Sequence, residues 1–262
     1  MFDFHIHSSI SFDSHTSAAD IANAAMKKGL REICFTDHWD YLPNPNDDHK
    51  LFSLEQYAKT YDSLKVEGLA IRRGVEIGLN EWNAKECAKL LTKRSFDFVI
   101  GSVHYADGHD PYNKEYWDNK SVETAYMRYL EKELECVKVH NDFDVLGHLT
   151  YVCKSPNNPF HAPLPYGECS DIADEIMRIL VSKGKGMEIN TSGVDRGVDL
   201  IPSIDYIRRF KELGGEIVTV GSDSHDDVRV GQYCSDVIEL LKDIFGYVCT
   251  FENRQPVFHK IK

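Results

Sequence analysis

The sequence predicts an α/β fold, in the form of a (β/α)7 barrel with a metal site at the C-terminal ends of its strands. Seven short apolar runs alternate with helical patterns along the 262 residues, which is typical of parallel strands covered by helices. Histidines and carboxylates stand at or near the ends of most of these runs, where barrel enzymes place their chemistry. An open doubly wound sheet is the alternative. Such a sheet binds its ligand at one switch point in the strand order, so metal ligands from six strands would not be required.

The first apolar run, residues 1–7, combines a strand pattern with metal-binding side chains. Its apolar residues alternate with Asp3, His5 and His7. Because side chains along a strand alternate between two faces, both imidazoles leave the same face, side by side. Two imidazoles aimed at one point suit a divalent metal far better than an apolar core.

Six further apolar runs predict the remaining strands, at residues 32–36, 71–77, 96–103, 145–150, 186–191 and 216–220. Between them, apolar residues at helical spacing predict helices, and Ser17, Ser53 and Ser121 are suitable N-caps. The predicted helices cover residues 18–28, 54–64, 83–93, 122–137, 170–182, 204–213 and 237–245. Stretches without a clear period predict loops at 41–50, 105–119 and 153–167, and a short apolar tail ends the chain.

Length and composition predict one domain that spans residues 1–262. A content of 42% hydrophobic and 27% charged residues is ordinary for a soluble globular protein. The net charge of −12, without a basic block, disfavours binding to nucleic acid. No apolar run is long enough to cross a bilayer. Neither nucleic acid nor a membrane is therefore an expected partner.

The seven cysteines are expected to be small buried hydrophobes without disulfides, because their number is odd and no two form a CxxC pair. The chain also begins directly with a strand, without a charged leader or an apolar core segment. A reducing cytoplasm is therefore the expected compartment.

Ten side chains are candidate metal ligands: His5, His7, Asp13, His15, His38, Glu76, His104, His148, Asp223 and His225. They exceed the roughly four ligands of one zinc ion, so two or three metals are implied. Imidazoles and carboxylates without thiolates suit Zn, Fe or Mn. Clustered metals of this kind typically activate a water for in-line attack on a phosphoester.

Each candidate has an ordinary structural interpretation as well. A single histidine on a strand is more often a satisfied polar residue than a ligand, and the Asp37-His38 pair could cap a helix. The paired spacing of His5 and His7, and the carboxylate of Glu76 in an apolar strand end, favour the metal interpretation. Four histidines in polar or terminal contexts are expected at the surface: His49, His109, His140 and His259.

Six motifs occur in the order found in the PHP (polymerase and histidinol phosphatase) superfamily: His5-Ile-His7, Thr36-Asp37-His38, Gly74-Val-Glu76, Gly101-Ser-Val-His104, Gly147-His148 and Ser222-Asp223-Ser-His225. The whole chain resembles this superfamily. The resemblance implies a distorted seven-stranded β/α barrel with a trinuclear centre of divalent transition metals.

The resemblance also implies a distribution of the ligands over three metals. The first metal would take His5, His7, Glu76 and Asp223, and the second would take Glu76, His104 and His148. The third would take His38 and His225 with either Asp13 or His15. Many members carry a histidine where Asp13 stands. The segment Ser11-Phe12-Asp13-Ser14 resembles the histidinol-phosphatase branch, so Asp13 is the expected metal ligand. His15 is then expected to contact either a metal ligand or the substrate.

The length of the chain and the segment from Glu188 to Gly193 resemble the stand-alone histidinol-phosphatase type. That type implies hydrolysis of L-histidinol phosphate in histidine biosynthesis, by a metal-bridging hydroxide that attacks phosphorus in line. Lys154 and Arg196 stand where the branch carries phosphate-binding cations; the alternative for each is a solvated loop cation. Asp223 or His225 could transfer the proton, and the sequence does not decide between them.

Three other functions are compatible with the same residues. A different phosphoesterase of the superfamily, such as an exonuclease or a small nucleotide phosphatase, would use the same metal ligands. A non-catalytic scaffold would keep the fold, but it should have lost several of the ligands. A metal-dependent amidohydrolase would usually require a carboxylated lysine at a strand end, and no lysine suggests one.

Overall fold

The computed structural model describes residues 1–42, 50–159 and 162–262. Most of the predicted loop at 41–50 and two residues of the predicted loop at 153–167 lie outside the described residues. In the described part of the chain, no helix is both long enough and apolar enough to cross a membrane.

Seven parallel strands form the barrel in the order in which they occur in the chain, and an eighth short strand, β3, pairs with β4. The strands are β1 (Phe2–Ile6), β2 (Glu32–Phe35), β3 (His38–Trp39), β4 (Ala70–Gly78), β5 (Phe98–Ser102), β6 (Val145–Leu146), β7 (Gly186–Asn190) and β8 (Val218–Gly221). The predicted distorted (β/α)7 barrel is confirmed.

The barrel closes where its last strand meets its first. A single parallel bridge joins Ile6 to Ser224. The backbone N–H of His7 donates to the carbonyl of Ser224 at 2.8 Å, and the N–H of Asp223 donates to the carbonyl of His5 at 2.8 Å. Closure therefore brings the first and last predicted metal motifs together, although more than 200 residues separate them in sequence.

β4 pairs with β5 along one edge and is shared between two strands along the other edge. Its first half pairs with β2 up to Arg73, and its second half pairs with β3 so that His38 lies opposite Glu76. The sequence predicts one strand at 32–36; the structure adds the separate strand β3. The resulting register places an imidazole directly beside the buried carboxylate of Glu76.

Eight helices lie in the described residues: α1 (Ala18–Lys27), α2 (Leu54–Tyr61), α3 (Ala84–Lys93), α4 (Lys114–Trp117), α5 (Val122–Val139), α6 (Tyr166–Ser182), α7 (Ile204–Glu212) and α8 (Cys234–Ile244). The serine caps are confirmed, since the hydroxyls of Ser17, Ser53 and Ser121 each accept an N–H of the first turn. The short α4 lies in the predicted loop at 105–119, and α6 begins four residues before the predicted start.

The predicted apolar tail folds as an antiparallel hairpin of β9 (Tyr247–Glu252) and β10 (Gln255–Lys260), which the sequence pattern does not predict. Asn253 and Arg254 form its turn with φ of 50° and 65°, as a two-residue hairpin turn requires. Phe251 packs with the barrel-interior Phe98 at a ring distance of 4.7 Å. The hairpin thus closes the end of the barrel opposite the predicted metal site.

Burial confirms the prediction for cysteine and corrects the one for His140. All seven cysteines are buried free thiols. His140 is also buried, although the sequence predicts it at the surface. Its Nε2–H donates to the carbonyl of Asn80 at 2.7 Å, so a satisfied polar contact replaces the expected solvent.

Candidate metal centre

The predicted site lies in a cleft of ≈390 Å³ at the C-terminal ends of the strands. Imidazoles, carboxylates and cationic side chains all line this cleft. The strands deliver these groups because each apolar run ends at the same edge of the barrel and is followed by a polar residue.

The fully buried carboxylate of Glu76 lies at the centre of the site. Its Oε2 lies 3.2 Å from Nε2 of His5 and 3.5 Å from Nε2 of His7. The same oxygen lies 2.9 Å from Nδ1 of His38. Its Oε1 lies 3.2 Å from Nε2 of His104 and 3.0 Å from Nε2 of His148. One carboxylate therefore lies against five of the predicted imidazole ligands, those of His5, His7, His38, His104 and His148.

Asp223 extends the site towards the last strand. Its Oδ1 lies 3.3 Å from Nε2 of His7 and 3.7 Å from Nε2 of His5. The residue has a left-handed backbone with φ of 53°, which is uncommon for a residue other than glycine and clusters at functional sites. Asp223 and Glu76 thus approach the same two imidazoles.

Asp13 and His15, the two predicted alternatives for the third metal, lie in different surroundings. Oδ2 of Asp13 lies 3.1 Å from Nε2 of His225 and 3.4 Å from Nε2 of His38. His15 is exposed and does not line the cleft. Among the described residues, therefore, Asp13 is the one of the two that converges with both histidines.

Unpaired buried donor atoms indicate that the site fits metal ions. Nε2 of His5, Nε2 of His7 and Oε2 of Glu76 are buried and make no hydrogen bond within the described residues. Leaving such an atom unpaired typically costs about 1–3 kcal/mol. Four different trios of donor atoms lie within 4.8 Å of one another in this region. A divalent cation satisfies such a convergent set of lone pairs.

Charge keeps the carboxylate donors ionised, as a metal requires, although neighbouring carboxylates, against the effect of burial, raise the pKa values of His5, His38 and His104 above their ordinary value. Burial acts to raise the pKa of Glu76, but the neighbouring imidazoles, that of His5 foremost, hold it well below its ordinary value. Burial likewise acts to raise the pKa of Asp223, but Lys154 together with the imidazoles of His5, His7 and His225 holds that pKa well below the ordinary value. Burial lowers the pKa of His7 well below its ordinary value. Ionised carboxylates and a neutral imidazole are the forms that bind metal.

Glu188 orients two of the imidazole-bearing residues. Its Oε1 lies 2.5 Å from Nδ1 of His5, and its Oε2 accepts the backbone N–H of His148 at 2.8 Å. An ionised carboxylate only accepts hydrogen bonds, so the neutral imidazole of His5 carries its proton on Nδ1 and presents the lone pair of Nε2 to the cluster.

Two more side-chain partners fix other imidazoles in the same way. Oδ1 of Asp40 lies 3.1 Å from Nδ1 of His104. Nδ1 of His7 lies 3.1 Å from Oγ of Ser11, which itself donates to Asp37 at 3.0 Å. Asp40, Glu188 and Ser11 are not predicted as site residues from the sequence. The signal that could have found the two carboxylates is an acidic residue within or directly after an apolar strand.

The two predicted phosphate-binding cations both line the cleft. Lys154 is buried and donates to Oδ2 of Asp223 and, at 2.9 Å, to Oγ of Ser192. Arg196 donates to the hydroxyl of Tyr112 at 2.6 Å and to the carbonyl of Lys154 at 3.2 Å. The structure adds two cations that the sequence analysis does not identify, Lys50 and Arg229.

A barrel whose strand ends converge on buried imidazoles and carboxylates defines a metal-dependent hydrolase. The chain belongs to the PHP domain family, whose model matches residues 3–192. This match confirms the family that the six ordered motifs predict.

Curated relatives cover most of the chain. A histidinol-phosphatase of Lactococcus lactis is 34% identical over 228 residues, which cover 85% of this chain and 83% of that protein. A protein of Clostridium acetobutylicum named "Probable histidinol-phosphatase" is 29% identical over 259 residues, or 98% of this chain and 96% of that protein.

A solved structure gives the same result for the fold. The crystal structure of histidinol phosphate phosphatase from Lactococcus lactis, complexed with zinc, L-histidinol and phosphate, matches with a TM-score of 0.85 at 29% identity. The match covers 98% of each chain.

Proposed function

We propose that this protein is a metal-dependent phosphomonoesterase that hydrolyses L-histidinol phosphate to L-histidinol and phosphate, a step of histidine biosynthesis. The observation that carries the proposal is the convergence of unpaired buried imidazole and carboxylate atoms in the cleft. The whole-length similarity to a phosphatase solved with zinc, L-histidinol and phosphate supports the substrate.

Three divalent metals fit the donor set. His5, His7, Glu76 and Asp223 would hold the first; Glu76, His104 and His148 the second; and Asp13, His38 and His225 the third. Bound there, the metals would supply a hydroxide for attack on phosphorus and neutralise charge on the phosphoryl oxygens. Zinc is the preferred identity because the Lactococcus lactis structure contains it; Fe and Mn suit the same ligands.

The chain's own cations would bind the phosphoryl group. Arg196 can grip two oxygens with its planar guanidinium, whereas Lys154 offers a single ammonium. The pair that Lys154 forms with Oδ2 of Asp223 places a positive charge beside the donors of the first metal. Both cations can therefore spread the charge that develops on the oxygens during hydrolysis.

Proton transfer to the leaving alkoxide is assigned to the pair of Asp223 and Lys154. Nδ1 of His225 donates to the carbonyl of Asp223 at 3.0 Å, and its Nε2 lies 3.1 Å from Oδ2 of Asp13 among the donors of the third metal. The ionised Asp223 accepts from Lys154 with its second oxygen, so the Lys154 ammonium holds a proton at the edge of the cleft.

Two further features support a small substrate and a cytoplasmic setting. Seven buried free thiols suit a reducing compartment. A net charge of −12 disfavours a nucleic acid substrate.

A panel of phosphomonoesters and a phosphodiester tests the function directly. We expect kcat/KM for L-histidinol phosphate to exceed that for glycerol phosphate and AMP by about 10- to 100-fold, the range that a few specific polar contacts supply. Equal rates across the panel would remove the substrate assignment. A diester preference would favour the exonuclease alternative.

Metal analysis separates the enzyme from a non-catalytic scaffold. We expect more than one transition metal per chain in the active protein, and loss of both metal and activity in Glu76→Gln. His259→Asn is the matched control, since His259 lies on the C-terminal hairpin away from the cleft. A fully active protein without metal contradicts the proposal.

A further inference from the structure

Asp110 lines the cleft without an ionic partner. Its Oδ1 accepts the backbone N–H of Tyr112 at 2.8 Å and the hydroxyl of Tyr151 at 3.2 Å. Within the described residues, its Oδ2 has no hydrogen-bond donor, and no Lys, Arg or His lies within 4.0 Å of the carboxylate. One oxygen is thus held in place while the other remains available.

Among the described residues, three of the other four carboxylates that line the cleft contact an imidazole or an ammonium group. Asp13 contacts His38 and His225, Asp40 contacts His104, and Asp223 pairs with Lys154. Asp226 accepts the N–H of Arg229 at 2.7 Å, a contact within its own turn. Asp110 differs because Tyr151, a buried side chain from a different segment, also holds it.

Tyr112 links Asp110 to the proposed phosphate-binding side of the cleft. Its backbone N–H donates to Asp110, while its hydroxyl accepts from Nη1 of Arg196 at 2.6 Å. The Arg196 guanidinium and the Asp110 carboxylate are therefore separated by about the length of the Tyr112 side chain. Such a pair of opposite charges is complementary to a ligand with an anionic group and a cationic group joined by a short chain.

We propose that Asp110 is a specificity-determining residue that binds the ammonium group of an amino-alcohol phosphate. This inference rests on the proposed function, because Arg196 must face the phosphoryl group for the two charges to fit one substrate. An ammonium group donates charge-assisted hydrogen bonds to a carboxylate. A site built around such a contact discriminates against an analogue that lacks the donor.

A matched pair of substrates tests this role. L-histidinol phosphate and 3-(imidazol-4-yl)propyl phosphate differ only in the amino group. We expect wild type to prefer the amino compound by about 10- to 100-fold in kcat/KM. In Asp110→Asn this preference should fall close to one, through a higher KM for the amino compound alone. The Asn side chain keeps an oxygen for Tyr112 and Tyr151, so the loop should persist.

Two further variants sharpen the result. Glu115→Gln removes the same charge from an exposed position on the same segment and should keep the wild-type preference. Asp226→Asn should keep it too. Equal losses for both substrates in Asp110→Asn, or loss of the preference in Asp226→Asn instead, would overturn the assignment.

Calorimetric binding of the two compounds distinguishes failure of this inference from failure of the proposed function. If metal-loaded wild type does not turn over L-histidinol phosphate, the proposed function fails. The role of Asp110 is then decided by the binding affinities of the two compounds. It stands only if wild type binds the amino compound more tightly than its desamino analogue and Asp110→Asn does not; equal or absent binding overturns it.

Discussion

Glu76 shows at the scale of one residue why this site is built for metal. Five imidazoles surround a carboxylate that is 0% exposed, and its Oε2 makes no hydrogen bond. A satisfied core network would pair these atoms with one another in good hydrogen-bond geometry. Oε1 pairs with Nε2 of His148 at 3.0 Å, but around Oε2 the donor atoms approach one another without pairing, which is the arrangement that an ion between them would complete.

Glu188 is expected to control metal affinity without binding the substrate. Glu188→Gln replaces the acceptor of His5 Nδ1–H with an amide and should weaken metal binding by about 10- to 100-fold. A calorimetric titration of metal-free protein with zinc measures this change in affinity independently of turnover. Glu216→Gln is the matched control, since that glutamate is exposed. Unchanged affinity in Glu188→Gln would contradict the orienting role.

Arg196 is expected to act mainly on substrate binding. Arg196→Ala should raise KM for the phosphomonoester by about tenfold or more with a smaller change in kcat, because it removes a ground-state contact with phosphate. Arg196→Lys should recover only part of the loss. Steady-state kinetics measures both, with the exposed Arg208→Ala as control. Wild-type KM in Arg196→Ala would indicate a solvated cation.

At the scale of elements, the C-terminal hairpin closes the barrel end that lies away from the site. Phe251 of β9 packs in a cluster inside the barrel with Phe4 and Phe98. Arg254, in the hairpin turn, donates to the carbonyl of Asp142 at 3.1 Å and to Asp144 at 2.5 Å. Strand β9 of the hairpin is thus part of the core, whereas β10 lies largely exposed beside it.

Phe251 should therefore contribute strongly to stability. Phe251→Ala is expected to lower the free energy of unfolding by about 3–5 kcal/mol, because it leaves a cavity inside the barrel. Urea unfolding measures the change. Phe258→Ala on the paired strand is the control, since Phe258 is 50% exposed, and it should cost far less. Equal effects of the two substitutions would show that the hairpin does not close the core.

Helix α5 carries a second element-scale feature, the buried carboxyl of Glu133. Neither of its oxygens has a hydrogen-bond partner within the described residues, and the nearby Tyr129 hydroxyl donates to the carbonyl of Val103 at 2.8 Å. Burial raises the pKa of Glu133 well above its ordinary value of 4.5. The folded protein therefore holds a proton that the unfolded chain releases as pH rises above 4.5.

Glu133 should consequently make stability fall as pH rises above that value. Glu133→Met is expected to raise the free energy of unfolding at pH 8 by about 1–3 kcal/mol, by removing an unsatisfied polar group. The gain should shrink near pH 4, where the carboxyl is protonated in both states. Thermal unfolding at several pH values tests this, with Glu135→Met on the exposed face of α5 as control. A gain independent of pH would contradict the titration of Glu133.

At the scale of the whole molecule, the metal centre connects strands from both ends of the chain. The first strand supplies His5, the residue directly after it is His7, β4 supplies Glu76, and the segment after β8 supplies Asp223. Metal bound to these residues should hold the closure between β1 and β8 together. Metal binding and global stability are therefore expected to be linked.

Removal of metal should lower the melting temperature. A ligand that binds only the folded state adds about 2.7 kcal/mol at a free concentration of 100 times Kd. Differential scanning calorimetry before and after chelation measures this shift, and added zinc should reverse it. A melting temperature that is the same with and without metal would contradict the link between the centre and barrel closure.

The sequence determined the periodic features of this protein. Alternation of apolar runs and helical spacing fixed the seven barrel strands, the major helices and the serine caps, because these depend on neighbours a few residues apart. The ordered motifs identified the PHP family and the residues at the strand ends. The hairpin was missed because its turn, Asn253-Arg254, lacks the glycine that usually marks one.

Only the tertiary structure decided which of those residues meet. Closure of the barrel places Asp223 beside His7, and the division of β4 places His38 beside Glu76. The proximity of Asp13 rather than His15 to the third group of donors depends on the path of a loop, which no periodicity encodes. Partners such as Glu188 come from distant strands. Their roles depend on distances across the barrel, whereas sequence patterns report distances along the chain.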